Sequence, residues 1–152
     1  MRTVEVVGFE RKDLGTKYSK ALRAEGNVPC VLYGANDQAQ HFHAPMYLFK
    51  DLVYTPEAAF VKLNIEGTEC EAILQDVQFH PVSEMILHAD FLKLERGTPI
   101  KMNIPVETTG RAPGVQIGGV LYLKNKSLKV KALPKNMPEK IMVDVSKLEL
   151  GK

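Results

Sequence analysis

The sequence has few of the residues and segments that define redox, zinc-binding and membrane proteins. Its two cysteines, Cys30 and Cys70, form no Cys-x-x-Cys pair, and each lies in a β-like run. No uncharged run approaches the roughly 18 residues of a membrane span, and the first residues lack the apolar core of a signal peptide. We therefore expect a soluble, cytoplasmic protein without a membrane partner, in which both cysteines are buried free thiols.

Sequence motifs of catalysis are also lacking. His88 and Asp90 would share a strand face at the spacing of an acid–base pair, but a catalytic pair would need a nucleophile. Ser19 and Ser83 lie in no Gly-x-Ser-x-Gly motif, and the glycines within 110–119 precede no Gly-Lys-Ser/Thr motif and no predicted helix, so turn geometry explains them. We expect no catalytic residue, no small-molecule substrate and no enzyme. The His88–Asp90 pair is either an exposed hydrogen-bonded pair or a group that recognises a base edge or a ribose.

Two histidines raise the question of a metal site. His41 and His43 would share a strand face and could bind a metal together with His80 or Cys70. No third ligand stands at a diagnostic interval from them. We therefore expect surface histidines and no metal site.

Charge divides the chain into two parts. Residues 1–91 carry eight basic and thirteen acidic side chains, a net charge of −5, whereas residues 92–152 carry twelve basic and five acidic ones, a net charge of +7. The sign changes across a turn-rich segment, 95–99, which has the composition of a linker. We predict a first domain over residues 1–94 and a second domain over residues 95–152.

Period-two alternation of apolar and polar residues dominates the first part and predicts a mainly β protein. The predicted strands are 4–9, 28–34, 40–44, 60–66, 70–78 and 85–94. Residues 66–69 predict a hairpin turn and residues 80–83 a longer connection. Two helices are predicted, one over residues 16–25, closed by Gly26, and one over residues 46–53.

The second domain is predicted to be all-β, with no helix. Alternation begins at Ile100, and further strands are expected near Val120, Leu128 and Ile141. Over residues 127–133 lysines alternate with apolar residues, so the lysines would share one face of a half-buried strand. That face is either solvated or a secondary contact for RNA, because lysines neutralise phosphates.

The first predicted helix combines an apolar side with a cationic one. Tyr18, Ala21 and Leu22 fall on the side that is expected to pack against the protein. The opposite side, expected to be free, is formed by Thr16, Ser19, Lys20 and Arg23. Residues 11–23 hold five cations and one acid, a local charge of +4. Such a patch, with its hydroxyls and the downstream Tyr33, suits RNA, but composition alone leaves a solvated helix face equally open.

Three sequence blocks resemble the bacterial large-subunit ribosomal protein L twenty-five family in its long, Ctc-type form. The blocks are Arg11-Lys12 with Gly15 and residues 19–34 (SKALRAEGNVPCVLYG), residues 74–81 (LQDVQFHP), and residues 86–91 (ILHADF). Between residues 105 and 151 the chain is similar to the family's additional domain. The resemblance thus covers essentially the whole chain.

The resemblance implies a fold, a partner and a set of contact residues. The fold would be a small closed antiparallel β-barrel with two short helices, followed by a second all-β domain. The partner would be the loop E region of 5S rRNA in the central protuberance of the large ribosomal subunit, with neighbouring ribosomal RNA and proteins around it. No cofactor is implied, apart from Mg²⁺ associated with the RNA. The residues that would contact RNA are Arg11, Lys12, Ser19, Lys20, Arg23, Tyr33, Gln75, Gln78, His88 and Asp90.

Two requirements must be met if the strand residues of this set are to contact RNA. Gln75 and Gln78 cannot share a face of a regular strand, so their joint contact requires a bulge between them. Asp90 is a poor partner for phosphate, so it would accept a hydrogen bond from a base amino group or a 2′-OH, or else orient His88.

The chain also departs from the family pattern. The family commonly has a basic residue at the position of Thr16 and alanine at that of Tyr18. It commonly has arginine at the positions of Lys20 and Ala21, so weaker or more magnesium-dependent RNA binding is expected. Long members continue beyond the position of Lys152, which leaves open whether the second domain is complete. The alternative function is a protein-interaction or stress-related β module whose helix patch is only solvated.

Overall fold

The computed structural model describes residues 1–34, 38–55 and 57–152, and β-strands are its main elements. The strands are β1 (Arg2–Glu10), β2 (Asn27–Tyr33), β3 (Gln40–Pro45), β4 (Ala59–Ile65), β5 (Thr68–Phe79), β6 (Ile86–Lys93), β7 (Ile100–Thr109), β8 (Ser127–Ala132) and β9 (Ile141–Asp144). The helical elements are α1 (Thr16–Ala24), a 3₁₀ turn (Met46–Phe49) leading into α2 (Lys50–Val53), α3 (Pro113–Gln116) and a second 3₁₀ turn (Pro134–Asn136). Within the described ranges, no helix is long and apolar enough to cross a membrane.

The strands and helices predicted in the first part are confirmed, with small shifts at their ends. The hairpin between β4 and β5 turns at Glu66 and Gly67, whose φ angles are 48° and 89°. Positive φ at both central residues is the geometry of a two-residue hairpin loop. Oδ1 of Asn64 accepts a hydrogen bond from the Gly67 N–H over 3.0 Å and secures the turn.

The first six strands close into a barrel in the order β1-β3-β2-β6-β5-β4. Four of the neighbouring pairs are antiparallel, whereas β1 with β4 and β2 with β6 are parallel. The predicted closed barrel is therefore confirmed, but the prediction that it is antiparallel throughout is wrong. Alternation reports which face of a strand is buried and carries no information on the direction of its neighbours.

The barrel interior is filled by the apolar members of each alternating strand. Phe42 and Phe91 are fully buried with ring centroids 5.7 Å apart, and Phe49 packs on Phe91 from the 3₁₀ turn at 6.1 Å. A Cβ atom at Gly8 would lie 2.5 Å from the Phe42 ring, so β1 needs glycine there. Cys30 is buried as predicted.

Cys70, by contrast, is only half-buried, because it lies near the start of β5, where the hairpin leaves one side of the strand uncovered. The prediction of two buried thiols is thus correct for Cys30 and wrong for Cys70. Burial raises the pKa of both thiols above their ordinary value.

The second part of the chain forms a three-stranded sheet, β8-β7-β9. The predicted strands near Leu128 and Ile141 are confirmed, but no strand forms at Val120, which is 92% exposed. The prediction of no helix is also wrong, because Pro113 begins the single turn α3. A Cβ at Gly114 would lie 3.0 Å from the backbone N of Leu150, so close chain packing, rather than turn geometry, explains that glycine.

A second apolar core joins the sheet to the barrel. Ile73 is on the outer side of the barrel wall and is nevertheless fully buried, because Ile100, Ile104 and Met137 cover it. Burial of one such aliphatic side chain contributes about 1.5–3 kcal/mol. The two parts are packed together, and the domain boundary between residues 94 and 95 stays a prediction.

Candidate functional site

The outer faces of three neighbouring barrel strands, β2, β6 and β5, bring together the predicted strand contacts. In β2 the alternation places Tyr33 on the outer face of the barrel, where its side chain is half-buried. In β6 the intervening Ala89 is buried in the core, which places His88 and Asp90 on the outer face. β2 and β6 run side by side, with Val31 paired with Asp90. The aromatic ring, the imidazole and the carboxylate are therefore carried by adjacent strands.

His88 and Asp90 form a hydrogen-bonded pair. Nδ1 of His88 donates to Oδ1 of Asp90 over 2.7 Å, and the two side chains are 30% and 34% exposed. The bond fixes the orientation of the imidazole and leaves Nε2 of His88 for an external partner.

A bulge in β5 brings Gln75 to the same outer face. Leu74 pairs with Phe91 and Asp76 pairs with Asp90, so Gln75 has no residue opposite it. Gln75 and Asp76 are both exposed as a result, whereas Leu74 packs against the barrel core. Gln78, two residues further on, pairs with His88. The bulge that a joint contact by Gln75 and Gln78 requires is therefore present.

Asp76 belongs to this surface although sequence reasoning did not select it. It lies opposite Asp90, and burial together with the charges of Asp90 and Asp76 raises the pKa of the Tyr33 phenol. Tyr33 thus keeps its proton and remains a hydrogen-bond donor beside two carboxylates. Only the bulge at Gln75 turns Asp76 outward, and alternation alone does not reveal a bulge.

Helix α1 is held by polar contacts to the preceding loop and to the barrel. Nη2 of Arg11 donates to Oγ of Ser19 over 3.1 Å, and Nε of Arg23 donates to the carbonyl oxygen of Leu87 over 3.0 Å. Leu87 stands at a second irregularity, because Gln78 pairs with His88 and Phe79 with Ile86. A residue without a partner in the strand ladder has a carbonyl that can accept another donor.

The predicted division of α1 into a packed side and a free side is correct for Leu22, Thr16 and Lys20 and wrong for its other members. No residue of α1 is buried, and Tyr18, predicted to pack, is 49% exposed. Ser19 and Arg23, predicted to be free, are half-buried and hydrogen-bonded. Leu22 is on the same side of the helix as Ser19 and Arg23, because positions i, i+3 and i+4 are neighbours on a helix. The partners that satisfy the two polar groups come from distant parts of the chain, which a helical pattern cannot indicate.

The remaining cations of the patch, Lys12, Lys17 and Lys20, are exposed. Arg11 is half-buried, and its Nε atom and Nδ1 of His43 are buried without a hydrogen-bond partner among the described residues. Burial, and then the Arg11 charge, lower the pKa of His43. The rings of His43 and Phe9 lie 5.6 Å apart between centroids. Within the described ranges, no three His, Cys, Asp or Glu side chains converge in the manner of a metal site.

The barrel, the sheet packed on it and this polar outer face define a mainly β protein with polar side chains on three adjacent barrel strands. A family model described as "Ribosomal L25p family" matches residues 7–91, and one described as "Ribosomal protein TL5, C-terminal domain" matches residues 99–152. The chain belongs to the Ribosomal L25p family, which confirms the resemblance of its three sequence blocks.

Relatives cover the whole chain. A large ribosomal subunit protein bL25 of Cytophaga hutchinsonii is 52% identical over 152 residues, which are 100% of this chain and 79% of the relative. The protein of the same name from Amoebophilus asiaticus is 52% identical over 151 residues, or 99% of this chain and 76% of the relative. That of Christiangramia forsetii is 46% identical over 152 residues, with 99% and 69% covered. These relatives are ribosomal proteins, and the prediction that the chain is not an enzyme is confirmed.

Proposed function

We propose that the chain binds the loop E region of 5S rRNA in the central protuberance of the bacterial large ribosomal subunit. The observation that carries the proposal is the shared outer face of β2, β6 and β5, on which five of the contact residues implied by the resemblance lie together beside the anchored helix α1. The five are Tyr33, Gln75, Gln78, His88 and Asp90.

The chemistry of this face suits the minor groove of RNA. That groove is wide and shallow and exposes base edges and 2′-hydroxyl groups, which amides, imidazoles and phenols can recognise. Nε2 of His88 and the exposed Gln75 and Gln78 amides can make such contacts. Asp90, already bonded to His88, orients the ring and can accept a hydrogen bond from a 2′-OH or a base amino group.

The cations around α1 supply the affinity for the RNA backbone. Lys12 and Lys20 are exposed and can reach phosphates directly. Arg23 uses Nε to hold Leu87, and the two Nη groups of its planar guanidinium remain for a phosphate. Arg11 and Ser19 hold the helix to the loop that precedes it. In this arrangement the same side chains position the helix and contact the RNA.

The location and the further partners of the protein follow from the binding of 5S rRNA. The protein would act in the cytoplasm as part of the ribosome, with neighbouring large-subunit RNA and proteins as further partners. It would need no cofactor of its own, and Mg²⁺ would take part through the RNA.

The test is the affinity for isolated 5S rRNA with Mg²⁺ across a salt series. Wild type is compared with Arg23→Ala plus Lys20→Ala, with His88→Ala, and with a control of equal charge change, Lys50→Ala plus Lys147→Ala, at exposed lysines outside the site. We expect tight, salt-dependent binding that is weakened by both site variants and not by the control. Strong binding that neither site variant changes would move the site elsewhere. A wild-type protein that does not bind would favour the protein-interaction module.

A further inference from the structure

The face of the second sheet that does not pack on the barrel carries lysines. Lys101 lies opposite Lys131 across β7 and β8, and Asn103 lies opposite Lys129, so the four side chains share one face of the sheet. All four residues are exposed. The opposite face of the sheet, which includes Ile104, packs on the barrel. We call the surface of Lys101, Lys129 and Lys131 the lysine face.

The charge of the lysine face is not neutralised within the protein. Across the described ranges, none of its three lysines has a carboxylate within ion-pair distance. Glu107, further along β7, is paired with Lys140 at 2.9 Å. Like charges directly opposite each other on neighbouring strands destabilise a sheet, so the Lys101–Lys131 pair is unfavourable in the free protein. An anionic partner would remove that repulsion.

The lysine face is connected to the barrel interface by a cleft. A cavity of about 440 Å³ lies between the two sheets. Gln75 and Asp76 line it on the barrel side, and Lys101, Asn103 and Lys129 line it on the side of the second sheet. Gln75 is one of the proposed RNA contacts, so a ligand seated on β5 extends directly towards the lysine face.

We propose that the lysine face binds the phosphate backbone of the same RNA that the barrel holds, an inference that rests on the proposed function. Residues two apart in a strand are separated by about 6.6 Å, so Lys129 and Lys131 can meet different phosphates. Lysine is a compact, hydrated point charge that neutralises phosphate without reading a base. The lysine face therefore adds affinity and fixes the orientation of the RNA, while the barrel strands provide the discrimination.

The test compares three variants in their binding to transcribed 5S rRNA with Mg²⁺ over a salt series. The first replaces Lys101, Lys129 and Lys131 by glutamine. The second replaces the same three residues by arginine, which keeps their charge. The third is the matched control and carries glutamine at three other exposed lysines: Lys50, Lys135 and Lys147.

We expect the lysine-face glutamine variant to lower the slope of log affinity against log salt by about 2 to 3, because each phosphate contact contributes about 0.7 to 0.9. Its affinity should fall by about 10- to 100-fold near 0.1 M salt. The arginine variant and the control should stay close to wild type. All substitutions are at exposed positions, and circular dichroism melting checks that the fold is kept.

Each contrary outcome is distinct. If wild type binds and the lysine-face variant matches the control, the lysine-face proposal is overturned and the barrel interface stands. If wild type does not bind at all, the proposed function fails and the extension fails with it. If RNA binding is unchanged but the variant no longer enters large subunits, the lysine face binds another component of the subunit, which also overturns the proposal.

Discussion

Replacement of Arg23 by lysine tests whether helix α1 is held by hydrogen bonding or only attracted by charge. Nε of Arg23 donates to the carbonyl oxygen of Leu87 over 3.0 Å, and no residue of α1 is buried. At nine residues α1 is shorter than the roughly 12–15 residues that an isolated helix needs in water. Lysine keeps the charge but lacks the planar fork of donors, so it cannot hold Leu87 and face a phosphate at the same time.

The expected effect is about 1 kcal/mol. A hydrogen bond with a charged partner contributes about 1.5–3 kcal/mol, and the partial exposure of Arg23 reduces that contribution. A loosened helix must be ordered again when RNA binds. The same 1 kcal/mol therefore appears as a roughly fivefold loss of affinity for 5S rRNA, since about 1.4 kcal/mol corresponds to a factor of ten.

Hydrogen exchange of the α1 amides measures the loosening, and titration with 5S rRNA measures the affinity. Lys17→Arg is the control, because it makes the reverse exchange of cations at an exposed position of the same helix. Arg23→Lys should exchange about fivefold faster in α1 than wild type, whereas Lys17→Arg should not. Unchanged exchange and unchanged affinity in Arg23→Lys would refute the anchoring role of the Nε hydrogen bond.

Three further predictions concern the scaffold. Ile73→Ala should lower the free energy of unfolding by about 2–5 kcal/mol in urea titrations, because the second sheet buries this side chain fully. The control Ile117→Ala, at a residue that is 72% exposed, should change it by less than about 0.5 kcal/mol. Similar small effects of both substitutions would mean that the sheet does not cover Ile73. Gly8→Ala should destabilise the barrel by about 1–3 kcal/mol, since its Cβ would lie 2.5 Å from a core phenylalanine ring, and an unchanged thermal midpoint would contradict this. Burial lowers the pKa of His43, so the unfolded chain takes up a proton that the folded protein does not, and stability should fall as the pH drops below about 6.5. His43→Gln should reduce this dependence between about pH 7.5 and about pH 5.5, while the neighbouring His41→Gln should retain it; equal pH profiles for wild type and His43→Gln would argue against the effect.

Alternation predicts the barrel strands well because a strand with one buried face must repeat with period two. Val28, Cys30 and Leu32 in β2 follow this rule, and so do Val61, Leu63 and Ile65 in β4. The parallel pairing of β1 with β4 could not be predicted, since it depends on the path of the chain between them. Alternation also misplaces a strand at Val120, because an apolar residue that follows two glycines can remain exposed.

The geometry of the candidate site was predictable only in part. The spacing of His88 and Asp90 implies a common face, and the structure adds the hydrogen bond between them. The requirement for a bulge follows from the spacing of Gln75 and Gln78, but the position of the bulge depends on the register with β6. The side of α1 that faces the barrel depends on the hydrogen bond to the Leu87 carbonyl. A local sequence pattern cannot indicate such a tertiary contact.

The proposed interface for 5S rRNA is the outer face of β2, β6 and β5 together with helix α1. Amide chemical-shift mapping of the isotope-labelled protein during titration with a loop E fragment of 5S rRNA tests it most directly. We expect changes concentrated in α1 and in β2, β5 and β6, with the His88 imidazole and the Gln75 and Gln78 side-chain amides among the signals that move. Changes confined to β7, β8 and β9, or no change at saturating RNA, would contradict it.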